Sequence, residues 1–287
     1  MSTKTPLISI VIPTYEMKGQ GVPFLKRCLD SISKQNNINP EVIEILISDQ
    51  SSDRAIGDFC NTQNLSFQLG YHRTPTGRGI AAHNLNIGIQ KARGKYIKIL
   101  FQDDLLVEEE HLATLIECLD ENNPQAILTC ATHTKDGIDF YKHITPKENP
   151  YFLFGNNTVS SPSVLTFEKS AFGNQPFDEN LKLLFDCDFY HRLFQKNNNI
   201  KICGSITIAN GVWGGQTQFS ISEKQFTHEV RYLNWKYPSA QLNVLLPEYE
   251  TFFANLHPEA PFPFSLNIKA PWWQRWWWSV SRKSLAQ

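Results

Sequence analysis

Apolar positions along the chain alternate between short continuous runs and stretches with helical spacing. Residues 8–12 are a β-branched run halted at Pro13, the pattern of a buried parallel strand. Phe24, Leu25, Cys28, Leu29 and Ile32 then recur at three- and four-residue intervals, which predicts one face of a helix. Strands are predicted at 42–47, more weakly at 65–71, and again at 96–101 and 126–130. Between them, Ile80, Leu85, Ile87 and Ile89 mark a helix ending near Gly94, and His111, Leu112, Leu115, Ile116 and Leu119 mark another. Strand alternating with helix predicts an α/β fold with a doubly wound, mostly parallel sheet flanked by helices. Ligands bind such sheets beyond the carboxyl ends of the strands. Pro13-Thr14-Tyr15, Ser48 to Asp53 and Gln102-Asp103-Asp104 are expected there.

After residue 131 the alternation loosens. Residues 132–160 are polar and turn-rich, 185–195 read as a helix, and 200–209 as a strand; from residue 218 the spacing is mixed. Four prolines within 257–271 suggest a linker or an extended wrap. With 27 Lys and Arg against 28 Asp and Glu, a whole-surface grip on nucleic acid is not expected. The six cysteines form no CxxC pair, which excludes a zinc framework and a dense disulfide scaffold. They read as buried thiols suited to a reducing cytoplasm. The apolar run near the N-terminus is too short for a signal peptide, and no run approaches the length of a spanning helix.

Four segments carry candidate chemistry. Asp103 and Asp104 follow an apolar strand, and unpaired carboxylates are costly to bury, so they belong at its exposed end. There they could hold a hard divalent cation against a diphosphate, or simply form an acidic turn before the next helix. Asp49 could accept from a nucleotide base or ribose, while Ser52 or Asp53 could cap the helix that follows. Asp186 and Asp188, two apart on a helix, cannot face the same way. One could face a cleft as a general base while the other pairs with Arg192, or both could simply be favourable acids at a helix N-terminus. Arg78, His83 and Asn84 could line a diphosphate site, but no GxGxxG follows a strand, so a dinucleotide fingerprint is absent.

Taken in order, IVIPTY, SDQSSD, GRGIAAHNLNIGIQKARGKYI, ILFQDDLL and LLFDCDFYHRL resemble the family 2 glycosyltransferases of GT-A fold over about residues 6–220. The resemblance implies a mixed, mostly parallel GT-A sheet. It divides the chain into a catalytic domain at 1–220, with a nucleotide-sugar half to about 105 and an acceptor half after it, and a C-terminal extension at 221–287. It assigns Pro13, Thr14, Tyr15, Asp49, Arg78, His83, Asn84, Gln102 and Asp103 to nucleotide binding. Asn84, Gly88, Ala92 and Gly94 follow the family's N-G-A-G spacing. Asp103, assisted by Asp104, would bind Mn or Mg, although Phe101 stands where the family's first acid is usual. Asp186 falls on the catalytic base, with Phe185 where Glu is usual; Asp188, Trp213 and Gln216 would meet donor or acceptor sugar.

The activity so implied is inverting transfer from a nucleotide-sugar, commonly a UDP-sugar, to a glycan or lipid-linked acceptor of the cell surface. The loops near 132–160 and 210–222 would exclude water. The two phenylalanines motivate the alternative of a member that binds without transfer. A nucleotidyltransferase fits poorly, because Lys18-Gly19-Gln20-Gly21 is not its loop. Trp272, Trp273, Trp276, Trp277 and Val280 share a helical arc, and 260–287 contains no acid. Residues 272–283 would rest on an anionic membrane, making a cytoplasmic, peripheral protein, or would pack back onto protein.

Overall fold

The structure, a computed structural model, describes residues 5–256 except 75, 78, 122, 196–198, 217–219 and 241, together with 259, 274 and 275. The chain runs β1 (Ile8–Thr14), α1 (Gly21–Ser33), β2 (Ile43–Asp49), α2 (Ala55–Asn61), β3 (Gln68–Arg73), α3 (Ala81–Lys91), β4 (Tyr96–Ile99), β5 (Leu105–Leu106) and α4 (His111–Asp120). It continues with β6 (Ala126–Thr134), β7 (Tyr141–Ile144), β8 (Leu165–Glu168), α5 (Lys169–Phe172), α6 (Phe185–Gln195), β9 (Ile200–Gly211), α7 (Glu223–Lys236) and α8 (Leu242–Leu256). The sheet order is β3-β2-β1-β4-β8-β6-β9-β5, with β7 paired beside β6. β1 to β4 are mutually parallel and β9 is parallel to β6, whereas β8 runs antiparallel to both neighbours.

β1 is buried along its whole length, as its unbroken apolar run requires in a sheet covered on both faces. It continues past Pro13 to Thr14 rather than stopping there. Val11 O accepts from Leu100 N, so Pro13, two residues on, turns its missing N–H to the side where β4 has ended. In α1, Leu25, Cys28, Leu29 and Ile32 form the buried stripe, each large apolar side chain contributing about 1.5–3 kcal/mol. Gly88 lets α3 sit close on the sheet: a Cβ there would lie 2.5 Å from Val11 Cγ1.

Three expectations change. Residues 132–160 are not merely a polar cover: they complete β6, form β7, and drive Phe152, Leu153 and Phe154 fully into the core. Their fully buried apolar side chains are three adjacent residues and Val159, too few to show periodicity. The mixed spacing after 218 resolves into α7 and α8. α7 is tied to the body, because buried Glu229 accepts from the backbone N–H groups of Lys182, Leu183 and Leu184. Finally, Cys118 of α4 and Cys203 of β9 form a disulfide across 85 residues, while Cys28, Cys60, Cys130 and Cys187 are buried thiols. The packing of α4 on β9 creates that pair, which no local spacing announces. Among the described residues, no helix is long and apolar enough to cross a membrane.

Candidate active site

The carboxyl ends of β1, β2 and β4 meet at one edge of the sheet. The parallel register sets Thr14 beside Asp49. Asp49 is fully buried: Oδ1 accepts from Thr14 Oγ1 (3.2 Å), Ser51 N (2.9 Å) and Ser51 Oγ (2.6 Å), and Oδ2 from the Tyr71 hydroxyl (2.8 Å). Asp49, expected to face a nucleotide base, ties β1, β2 and β3 together through these bonds. The register that brings Thr14 and Tyr71 to it is a tertiary property. Gln102, also expected at the nucleotide, is likewise committed: Oε1 accepts from Tyr15 N (2.6 Å), and Nε2 donates to Tyr15 O and Gly21 O (both 3.1 Å). It fixes the backbone of Tyr15, whose side chain is 38% exposed. The Tyr15 phenol is pushed up by partial burial and by the Asp103 charge, which places those two side chains on one wall.

Pro13 and Thr14 lie buried within β1. Asn84 Nδ2 donates to Thr14 O (3.0 Å), and its buried Oδ1 has no hydrogen-bond partner among the described residues. His83 pairs with Glu179 (2.7 Å) and reaches Thr76 Oγ1 (3.3 Å). Gln50 Nε2 holds the same glycine loop through Thr76 O and Gly77 O. Arg78 lies outside the described residues.

The acid pair divides its labour. Asp104 accepts from Gly211 N (2.9 Å) on Oδ1, and from Asn210 Nδ2 and Ser161 Oγ (both 3.0 Å) on Oδ2. Both its oxygens are therefore engaged in holding β9 and the Ser161 loop. Gly211 permits this contact, since a Cβ would sit 2.3 Å from Asp103 O. Asp103 accepts from Trp213 Nε1 (3.1 Å) on Oδ2, leaving its other oxygen without a side-chain donor among the described residues. Both carboxyls are raised, first by burial and then, for Asp103, by the neighbouring charge of Asp104. Two cations answer them. Lys98 is buried beneath, its amine pushed down to about 7 by desolvation, and Arg27 donates to Asp103 O (3.0 Å). Trp213 packs 5.4 Å from Phe24, and Gln216 Nε2 donates to Gly211 O (2.8 Å).

On α6 the two aspartates separate. Asp188 is fully buried and binds Arg192 (3.1 Å), Lys236 (2.6 Å) and the Tyr237 hydroxyl (2.8 Å). It anchors α6 to α7 and to Tyr237. Asp186 is partly exposed and meets Asn157 Nδ2 (2.9 Å). Burial pushes its carboxyl up to about 6, against hydrogen bonds from Cys187 and Asn157 that lower it. From Asn157 a polar chain runs through Ser160 and Asn210 to Asp104 (2.9, 2.6 and 3.0 Å), so Asp186 and the acid pair share one wall.

Glycosyl transferase family 2 matches residues 9–181, more than half of the chain. The chain belongs to that family. An uncharacterized glycosyltransferase of Rickettsia typhi is 26% identical over 237 residues, covering 75% of this chain and 67% of its own length. GlyG of Streptococcus pneumoniae is 29% identical over 147 residues, and this chain spans only 45% of it. S. aureus TarS 1–349 in complex with UDP-GlcNAc superposes with a TM-score of 0.66 at 18% identity, over 94% of this chain and 78% of that one. The mannosyltransferase PcManGT from Pyrobaculum calidifontis, in complex with GDP-Man and Mn2+, gives 0.57 at 14% identity, over 99% and 81%. The fold is thus that of the GT-A glycosyltransferases.

In this family 2 glycosyltransferase, no group of three His, Cys, Asp or Glu side chains gathers as a self-sufficient metal cage among the described residues. The Asp103 oxygen that no described side chain engages fits a cation shared between one carboxylate and a substrate diphosphate, the usual arrangement for hard ions at phosphates. Asn157, Ser161, Asn210, Arg27, Tyr71 and Lys98 escaped sequence reasoning. None lies in a motif, although Lys98 interrupting an apolar strand is a signal that could have been read.

Proposed function

We propose that this chain is an inverting hexosyltransferase, moving a sugar from a UDP-linked donor to a hydroxyl of a cell-surface glycan or lipid-linked acceptor. The observation that carries this reading is Asp186: partly exposed, raised toward neutrality by its surroundings, and joined by hydrogen bonds to the wall holding Asp103. A carboxylate with that affinity accepts a proton from a bound hydroxyl near neutral pH. The acceptor oxygen then attacks the anomeric carbon from the face opposite the diphosphate. The C–O bond to the diphosphate breaks, its electrons leave with the nucleotide, and the anomeric configuration inverts.

Tyr15, Asn84 and the loop pinned by His83 would line the donor's nucleotide. Asp103 would hold a Mn or Mg ion, which when bound supplies positive charge to the departing diphosphate. Trp213 fixes the Asp103 carboxylate, and Arg27 offsets its charge. Neighbours of the same fold in complex with UDP-GlcNAc and with GDP-Man support a nucleotide-sugar donor.

A second reading, binding without transfer, is favoured by Phe101 and Phe185 standing where the family carries acids. The test is a panel of UDP-GlcNAc, UDP-glucose, UDP-galactose and GDP-mannose, with and without Mn2+, scored by thermal shift and by release of nucleoside diphosphate. One donor should stabilise the protein by mass action and turn over slowly with water as acceptor. Asp186→Asn should keep the thermal shift and lose at least about a hundredfold in turnover. Turnover at the wild-type rate would remove Asp186 as the base, and binding with no turnover in the wild type would favour the second reading.

A further inference from the structure

We infer that Asn157 is a positioning residue for Asp186, fixing the direction of its carboxylate and linking it rigidly to the wall that carries the Asp103–Asp104 pair. The inference rests on the reading of Asp186 as the base. Asn157 lies in the loop before β8, within the segment expected from sequence only to exclude water. Its amide has only one workable orientation. Oδ1 accepts from Val159 N (2.9 Å) and Ser160 N (3.0 Å), so Nδ2 must face the other way, where it donates to Ser160 O (2.9 Å) and Asp186 Oδ2 (2.9 Å). A flipped amide would put its NH2 against two N–H groups and its oxygen against a carboxylate.

The loop is itself held in a costly shape. Ser160 has φ 113, which L residues rarely adopt, and such strain persists only where the surroundings over-determine it. Here Asn157 clasps both sides of its backbone, and its hydroxyl donates to Asn210 Oδ1 (2.6 Å). Asn210 Nδ2 in turn reaches Asp104 Oδ2 (3.0 Å) and Ser161 Oγ (2.7 Å). Tyr190 of α6 closes the circuit by donating to Ser161 O (3.2 Å). A base must be held within a fraction of an ångström of its target to be effective. This loop supplies that constraint from outside the helix bearing the base.

A donor aimed at a carboxylate also favours its ionised form, the direction in which Asn157 acts on Asp186. The other titratable groups around Asp186 are Cys187 and Tyr190 on its own helix, with Asp188, Glu229 of α7 and Tyr249 of α8 reaching it through Cys187. On the loop side the chain ends at Asp104.

The experiment is a carbon-13 NMR titration of the Asp186 carboxyl, assigned by its loss in Asp186→Asn, in the wild type and in Asn157→Ser. Serine keeps an oxygen for the Val159 N–H but cannot reach Asp186. The midpoint should rise by about one pH unit, a tenfold gain in proton affinity. The acid limb of UDP-GlcNAc hydrolysis, followed as UDP release, should move with it. Should Asn157→Ser fail to fold, Asn157→Asp serves instead. It retains the acceptor for both N–H groups and turns the donor into a second carboxylate, so the upper midpoint of the coupled pair should rise. An unchanged midpoint in a folded variant overturns the inference even while Asp186→Asn remains inactive. Unfolding of both variants overturns it too, assigning Asn157 a role in loop folding alone. Full turnover by Asp186→Asn is a different result, since it removes the base and leaves the titration intact.

Discussion

Asp186 and Asp188 are two residues apart on one helix, and their surroundings give them opposite work. Asp188 is buried among Arg192, Lys236 and Tyr237 and makes close contacts with all three. Asp186 is met by hydrogen bonds only, and burial raises its carboxyl from 3.8 to about 6. A carboxyl raised on folding binds more protons folded than unfolded between those values. Its contribution to stability is therefore fully present below about pH 4 and is lost as pH rises through 6. Asp186→Asn removes the charge but keeps the shape. The variant should be more stable than the wild type at pH 8, by about 1–2 kcal/mol after discounting for partial exposure, and the gain should vanish at pH 4. Thermal melts at the two pH values check this; an equal shift at both would show that the charge at Asp186 is not strained. Such a gain on deleting the charge of the proposed base would be the usual trade between stability and activity.

At the scale of elements, α7 holds the N-terminal end of α6 in place. Glu229 accepts from three successive backbone N–H groups just before α6, and Lys236 bridges Asp178 and Asp188 (both 2.6 Å). Glu229→Ala would leave those N–H groups buried without acceptors. The expected loss is about 2–4 kcal/mol, seen as a lower urea midpoint with an unchanged slope. Because these contacts orient the helix that carries Asp186, turnover should fall more than nucleotide affinity. The strand β8 has a comparable place on the other side. It runs antiparallel between β4 and β6, joining the half of the sheet that carries Tyr15 and Asp103 to the half that carries Asn210 and Gly211.

At the scale of the molecule, the Cys118–Cys203 bond closes an 85-residue separation that includes β6, β8 and α6. Its removal frees the unfolded chain more than the folded one, so Cys203→Ser should lower stability by about 2–4 kcal/mol under oxidising conditions. With dithiothreitol present, variant and wild type should melt together; a difference that survives reduction would place the effect in packing. Residues 272–283, outside the described residues apart from Gln274 and Arg275, carry the proposed contact with anionic lipid. Full-length chain should sediment with phosphatidylserine vesicles, and a chain ending at residue 271 should not. Equal partition of the two would end the membrane proposal.

The order and type of most elements was written locally. Buried parallel strands must be continuous apolar runs and their helices must carry a stripe, so β1, β2, β4, α1, α4 and α6 could be read from periodicity alone. The same logic placed Tyr15 and Asp103 just beyond strand ends and Asp186 on a helix, because an uncompensated carboxylate is costly to bury inside such a run. Short elements escaped: β5, β7 and β8 have two to four residues each, too few for a period to show. Which acids face the cleft was decided only by tertiary structure. Asp49, Asp104 and Asp188 are as acidic in sequence as Asp103 and Asp186, yet each lost its free oxygens to donors brought from distant strands and helices. Hydrogen bonding between residues 22 to 107 positions apart depends on register and packing, and neither leaves a local mark in the chain.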